Sequence, residues 1–165
     1  IIIGAGFSGL YQLHCLRDKL KLNTLVIEEG KDIGGTWYWN TYPGARCDSE
    51  SFTYGFTFSE KIFKNWTWKE RYPKQNVILK YLKYFSNELK LKKNIVFNEK
   101  VISAKYIEKN NLWKIQTNNN KKYYTKYLIC AVGSLSSINL PKIKGINHFK
   151  GQLHHSGRWP SSTMM

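Results

Sequence analysis

The chain has 165 residues, 42% of them hydrophobic and 15% aromatic, which is enough apolar material for one packed core and excludes a disordered chain. Its formal net charge is +15, but lysine is scattered, arginine occurs only at Arg17, Arg46, Arg71 and Arg158, and no block of five like charges appears; the expected partner is neither nucleic acid nor membrane. With no run of eighteen apolar residues and no basic, hydrophobic leader, a soluble, cytoplasmic protein is expected, and the separated Cys15, Cys47 and Cys130 fit neither a disulfide framework nor a zinc site.

Ile1-Ile2-Ile3 is a β-branched run that stops at glycine, and Leu10, Leu13, Leu16 and Leu20 then recur at near-helical spacing. Thr24-Leu25-Val26-Ile27-Glu28 is a second apolar strand, so the first thirty or so residues read as a βαβ unit with two parallel strands. The turn joining the first strand to the helix, Gly4-Ala5-Gly6-Phe7-Ser8-Gly9, has the spacing G-x-G-x-x-G. Gly4 suits a tight turn, Gly6 a close backbone approach to a pyrophosphate, and Gly9 close packing of the helix. The helix amino end offers N–H donors and a partial positive charge to that pyrophosphate. Glu28 lies 19 residues beyond Gly9, where a carboxylate accepts from the hydroxyls of an adenosine ribose and repels a phosphate there. This site is therefore expected to take FAD or NAD and to reject NADP. A part of the positive charge is free to attract an anionic nicotinamide cofactor.

Residues 30 to 73 contain Gly34, Gly35, Pro43, Gly44 and Pro73 together with Trp37, Trp39, Trp66 and Trp68, without a sustained period, and read as a long aromatic loop region that lines a ligand. Val77, Ile78, Tyr81, Leu82, Phe85 and Leu89 step by three and four, which predicts an amphipathic helix with a core-facing stripe. Residues 94–97, 100–107, 112–117 and 123–132 read as strands, the middle ones separated by asparagine turns at Asn110-Asn111 and Asn118-Asn119-Asn120. The three-stranded meander so formed is expected to cover the parallel sheet. The run from Tyr127 to Val132, followed by Gly133, is expected to be buried on both faces and to end at a ligand. The fold class expected is α/β: a Rossmann-like domain with a parallel sheet and a three-stranded antiparallel meander, incomplete within this chain.

Spacing leaves FAD and NAD open, and two longer motifs address that choice. Residues Gly34-Gly35-Thr36-Trp37 through Tyr42-Pro43-Gly44 to Asp48 match G-G-x-W, Y-P-G and D, and residues Phe149 to Pro160 match F-x-G-x-x-x-H-x-x-x-W-P at Phe149, Gly151, His155, Trp159 and Pro160. On these motifs the chain resembles the Baeyer-Villiger monooxygenases, class B flavoproteins, from Ile1 to about Pro160. The resemblance implies FAD in the first site, NADPH bound through a further domain, and a small ketone and O2 as substrates, with an ester or lactone as product. It implies cofactor contacts at Gly4, Gly6, Ser8, Gly9, Glu28, Gly35, Thr36, Trp37, Trp39, Arg46, Cys47, Asp48, Tyr54 and Val101. Within that set Trp37 and Trp39 flank the flavin, Thr36 meets the ribityl chain or phosphates, Arg46-Cys47-Asp48 face the nicotinamide, Tyr54 lies on the flavin side, and Val101 contacts the adenine through its backbone.

Asp48 is the implied catalytic residue, orienting an arginine from a later segment. His155 is implied to couple domain movement from a linker. His154 and His155 have no carboxylate or cysteine neighbours, so no metal is expected. Residues 1–145 are expected to form the N-terminal part of the FAD-binding domain, and 146–165 the linker to an NADPH-binding domain. The chain opens without methionine and stops soon after its second motif, so an N-terminal fragment, inactive alone, is expected. Two rivals stand beside this reading: a flavin-containing or N-hydroxylating monooxygenase, whose fingerprint lacks Trp159-Pro160, and a non-catalytic FAD-binding remnant.

Overall fold

In the computed structural model, residues 1–160 are described; the end of the expected linker, 161–165, lies outside the described residues. The β-branched run at the start pairs over β1 (Ile2–Ile3), and the second run over β2 (Val26–Ile27), with Ile2 opposite Val26 in parallel register. Between them lies α1 (Phe7–His14), which packs back on the sheet through Leu10 and Leu13. Its last turn widens into π-helix over Cys15–Lys19, with the Leu20 N–H donating to the Cys15 carbonyl at 3.0 Å. That wider turn shifts the helical phase. Leu20, predicted to continue the apolar stripe, is accordingly 62% exposed.

Residues 28 to 94 make the crossover to β3 (Ile95–Val96), and carry α2 (Thr36–Trp39), α3 (Glu60–Lys64) and α4 (Gln75–Glu88). The stripe predicted for α4 is the centre of the core, since Ile78, Tyr81, Leu82 and Phe85 are all buried. The long loop region fills its own interior with aromatic rings. Trp66 and Trp68 sit 5.3 and 5.0 Å from the Tyr81 ring, Phe56 sits 4.0 Å from Phe85, and the Phe56 N–H donates to the Tyr81 hydroxyl at 2.6 Å. Trp66 and Trp68 are thus part of the core rather than of a ligand wall.

Asparagine in left-handed conformation at Asn111 and Asn120 turns the chain between β4 (Val101–Ile107), β5 (Leu112–Thr117) and β6 (Lys122–Thr125), an antiparallel meander as expected. It covers less of the parallel sheet than the pattern predicts: β4 leaves Ile102 to Tyr106 exposed, and burial concentrates at Ile115 and Thr117. The predicted strand 123–132 divides in two. Thr125 donates its hydroxyl to the Tyr127 carbonyl where the chain leaves the meander, and β7 (Ile129–Cys130) then pairs in parallel with β1. Because β7 is the last strand of its sheet among the described residues, the run is not buried on both faces; Tyr127 is 75% and Val132 50% exposed.

The parallel sheet has the order β3-β2-β1-β7. The chain therefore leaves β1 in one direction and returns on its other side, and the carboxyl ends of β1 and β7 flank the switch point at which α/β sheets open a crevice. Phe85 is fully buried at the centre of the aromatic core. Phe85→Ala is expected to lower the free energy of unfolding by about 3–5 kcal/mol, through lost burial and the cavity left behind. Phe63→Ala, at a ring 53% exposed, is expected to stay within about 0.5 kcal/mol, and urea unfolding midpoints measure both.

Candidate functional site

A cavity of about 860 Å³ opens at that switch point, between the turn after β1 and the segment after β7. Its floor is built by backbone meeting backbone. A Cβ on Gly9 would lie 1.9 Å from the Gly4 carbonyl oxygen, so α1 can start this close to β1 only without a side chain there. Gly6 and Gly35 meet in the same way: a Cβ on Gly35 would lie 2.9 Å from the Gly6 Cα, and the Gly34 N–H donates to the Ala5 carbonyl at 3.0 Å. Gly34 and Gly35, expected to admit a flat ring system, line the cavity and also pack against the first turn, Leu79 and Tyr38.

No side chain caps the amino end of α1, and Phe7 and Ser8 at that end line the cavity. The unpaired N–H groups and the helix dipole favour negative charge at this end of the cavity. Glu28 is 5% exposed and fixed from both sides, one oxygen accepting from the Ala5 N–H at 2.6 Å and the other from the Gly30 N–H at 2.7 Å. A carboxylate has about four lone-pair sites, so two remain to accept from the cavity. On the opposite wall the Trp37 indole N–H donates to the Tyr54 hydroxyl at 3.0 Å, with the rings edge to face. Burial pushes the Tyr54 hydroxyl above its ordinary value; the Trp37 hydrogen bond opposes that, and the nearby Asp48 carboxylate adds to it.

At the cavity's far side, Glu99 is 1% exposed and anchors the meander to the site. Its carboxylate accepts from Thr117 at 2.8 Å, Tyr123 at 2.9 Å and Lys121 at 2.9 Å, and its N–H donates to the Glu28 carbonyl at 2.9 Å. Burial opposes ionisation of Glu99, but the Lys121 ammonium and the two hydroxyls outweigh it and hold the carboxyl below the usual glutamate value. This strand start also carries Val101 to the cavity wall, beside Lys100, whose ammonium pairs with Glu29 at 3.2 Å.

Of the residues predicted for cofactor contact, Gly4, Gly6, Ser8 and Glu28, then Gly35, Thr36, Trp37 and Trp39, then Tyr54 and Val101 line this one cavity. Gly9 stands behind the turn. Arg46, Cys47 and Asp48 lie off the lining: Arg46 donates to Glu70 and to the Tyr72 carbonyl at 2.8 Å, Cys47 is buried in the core, and Asp48 is exposed. In the second motif Phe149 is exposed and lies over Gly151. His155 accepts at Nδ1 from the Gly157 N–H at 3.0 Å, closing a short 3₁₀ turn, Ser156–Arg158, while Trp159 packs on His154 with Pro160 following. That turn delivers Gly157 and Arg158 to the cavity. Sequence reasoning passed over these two, together with Asn40, Lys100 and the segment Ser134 to Ile138. Only Arg158 carried a signal, as an arginine inside a motif in a chain whose basic residues are mostly lysine. Among the described residues no group of three or more His, Cys, Asp or Glu side chains is placed to hold a metal, and no helix is long and apolar enough to cross a membrane.

A family model described as flavin-binding monooxygenase-like matches residues 1–164. The chain belongs to this family. A cyclohexanone 1,2-monooxygenase of Acinetobacter sp is 44% identical over 160 residues, spanning 97% of this chain and 30% of the relative. A Baeyer-Villiger monooxygenase of Pseudooceanicola batsensis is 42% identical, over 97% of this chain and 29% of the relative. A phenazine N-monooxygenase of Lysobacter antibioticus is 40% identical, over 98% of this chain and 30% of the relative. Among solved structures, a complex of OTEMO with FAD and NADP superposes with a TM-score of 0.89 at 40% identity, covering 98% of this chain and 30% of that one. This flavin-binding monooxygenase-like chain therefore spans about 30% of the length of the curated relatives it matches.

Because the Glu99 carboxyl is held low in the folded protein, its contribution to stability is complete above the ordinary glutamate value, about 4.3, and is lost as pH falls through the depressed folded value. Glu99→Gln is expected to cost about 1–3 kcal/mol at neutral pH and to flatten the acid limb of the stability profile. Thermal unfolding midpoints of both proteins between pH 7 and pH 3 measure this, the two converging as pH falls.

Proposed function

We propose that residues 1–145 form the N-terminal part of an FAD-binding domain and residues 146–165 a linker to an NADPH-binding domain, in a monooxygenase that inserts one oxygen atom beside the carbonyl of a small ketone. The overall change is ketone, O2, NADPH and a proton to ester or lactone, NADP+ and water, so one oxygen atom enters the product and the other leaves as water. When bound, FAD passes the reducing equivalents of NADPH to O2, which is the chemistry no side chain supplies.

The observation that carries this reading is the uncapped amino end of α1 beside a doubly fixed Glu28, at a turn that admits no Cβ at Gly4 or Gly9. The residues present fit the cofactor on those grounds. The first-turn N–H groups of α1 and the Thr36 hydroxyl are assigned to the pyrophosphate, and the remaining lone pairs of Glu28 to the ribose hydroxyls. Trp37, Trp39 and Tyr54 are assigned to the wall of the flavin pocket, and the Val101 backbone to the adenine. Arg46, Cys47 and Asp48 are assigned to the nicotinamide side, with Asp48 in the role of holding an arginine from another segment.

A second reading, oxygen transfer to an aromatic nitrogen, is favoured by the 40% identity to a phenazine N-monooxygenase over nearly the same stretch. One experiment separates them. The protein that carries this chain is desalted, its visible spectrum recorded, and NADPH and O2 supplied with cyclohexanone or with phenazine. We expect the flavin band to survive desalting and a lactone to form in step with NADPH consumption. Loss of the flavin band ends the FAD reading, and an N-oxide without lactone selects the second.

A further inference from the structure

The charges on the cavity wall do not balance without one residue that no motif position assigns. Five charged side chains line the cavity: Glu28, Glu29, Glu99, Lys100 and Arg158. Lys100 is engaged by Glu29 at 3.2 Å, and Glu99 is matched from outside the wall by Lys121 at 2.9 Å. Glu28 is held by backbone N–H groups alone, which leaves its negative charge standing in the wall. Among the described residues the Arg158 guanidinium has no carboxylate partner, and its only hydrogen bond is from Nη1 to the neighbouring Gly157 carbonyl at 2.9 Å. Its guanidinium instead lies over the Trp39 ring, 4.7 Å from the centroid, on the wall that also carries Thr36.

A guanidinium lying over an indole, with one N–H given to a carbonyl, keeps further donors free, and a planar fork of donors suits two phosphate oxygens at once. The placement is specified by neighbours, because His155 closes the turn that turns Gly157 and Arg158 toward Asn40 and Trp39. We propose that Arg158 is the counter-cation of the cofactor's pyrophosphate, latching the linker onto the first nucleotide site through Trp39. This assignment rests on the FAD reading above and adds a positioning residue to it. The phosphates gain a full positive charge from a segment far away in sequence, opposite the partial charge of α1. The linker in turn gains a contact that depends on the cofactor.

The test is an FAD titration, followed by Trp and flavin fluorescence, of the protein and its Arg158→Gln and Arg158→Lys variants at low salt and at about 0.5 M salt. A charge contact at a partly exposed site predicts an FAD Kd about tenfold weaker for Arg158→Gln at low salt, shrinking to about threefold or less at high salt as the charge is screened. Arg158→Lys, which keeps the charge and loses the planar stack, is expected to recover most of the affinity. An unchanged Kd for Arg158→Gln, or a loss equal at both salts and not recovered by lysine, overturns the assignment while leaving the FAD reading intact. A wild-type protein that takes up no FAD at all overturns both.

Discussion

The contact between Gly9 and the carbonyl of Gly4 sets the geometry on which the rest of the site depends. With 1.9 Å between that oxygen and any Cβ at position 9, α1 can begin directly against the end of β1 only because the two meet as bare backbone. That closeness aims the first turn of α1 at the cavity. It also leaves Gly6 free to touch Gly35 across the floor, so the second glycine pair is positioned by the first. The Ala5 N–H and carbonyl, held between them, then reach Glu28 on one side and Gly34 on the other. One steric condition thereby ties the strand, the helix, the acid and the aromatic loop into a single cradle.

Electrostatics divides the cradle into complementary zones. The amino end of α1 favours negative charge, while Glu28, desolvated and fixed by two N–H groups, favours neutral hydroxyl donors and repels phosphate. Glu99 extends the same hydrogen-bonded scaffold to the meander through the Glu28 carbonyl. The start of β4 is held in place from the other end by Thr117, Tyr123 and Lys121, so the meander, whose first strand is mostly exposed, is docked where it meets the site. The aromatic core under α4 supplies the rigid base for these loops, with Tyr81 acting both as a packed ring and as the acceptor of the Phe56 N–H.

Much of this was legible in the sequence because it follows from local rules. The glycine spacing, the acid at the end of β2, the amphipathic stripe of α4 and the asparagine turns of the meander each have a short-range physical cause, and each predicted the right element. The failures are non-local. The run 123–132 is one apolar stretch by composition, yet it serves two sheets, because its end pairs with β1 from the opposite end of the sequence, Ile129 against Ile2. Leu20 falls off its stripe because a π turn changes the phase, which periodicity alone cannot register. Trp37 and Trp39 are indistinguishable from Trp66 and Trp68 by residue type; Trp37, Trp66 and Trp68 all pack with the core, and only Trp37 and Trp39 also reach the cavity, while Trp66 and Trp68 turn to Tyr81. The Arg46-Cys47-Asp48 stretch, prominent as a motif, lies beside the cavity rather than on its lining, and Arg158 reaches it from the far end of the chain.

The proposed binding of the flavin nucleotide at the turn between β1 and α1 is open to a direct measurement. Amide hydrogen exchange of the protein is followed with and without FAD. FAD is expected to add protection at the amides of Gly6 to Gly9, around Glu28 and Gly30, and over Gly35 to Trp39, with Arg46 to Asp48 little changed. FAD-dependent protection confined to other segments, with the first turn exchanging as before, would contradict it.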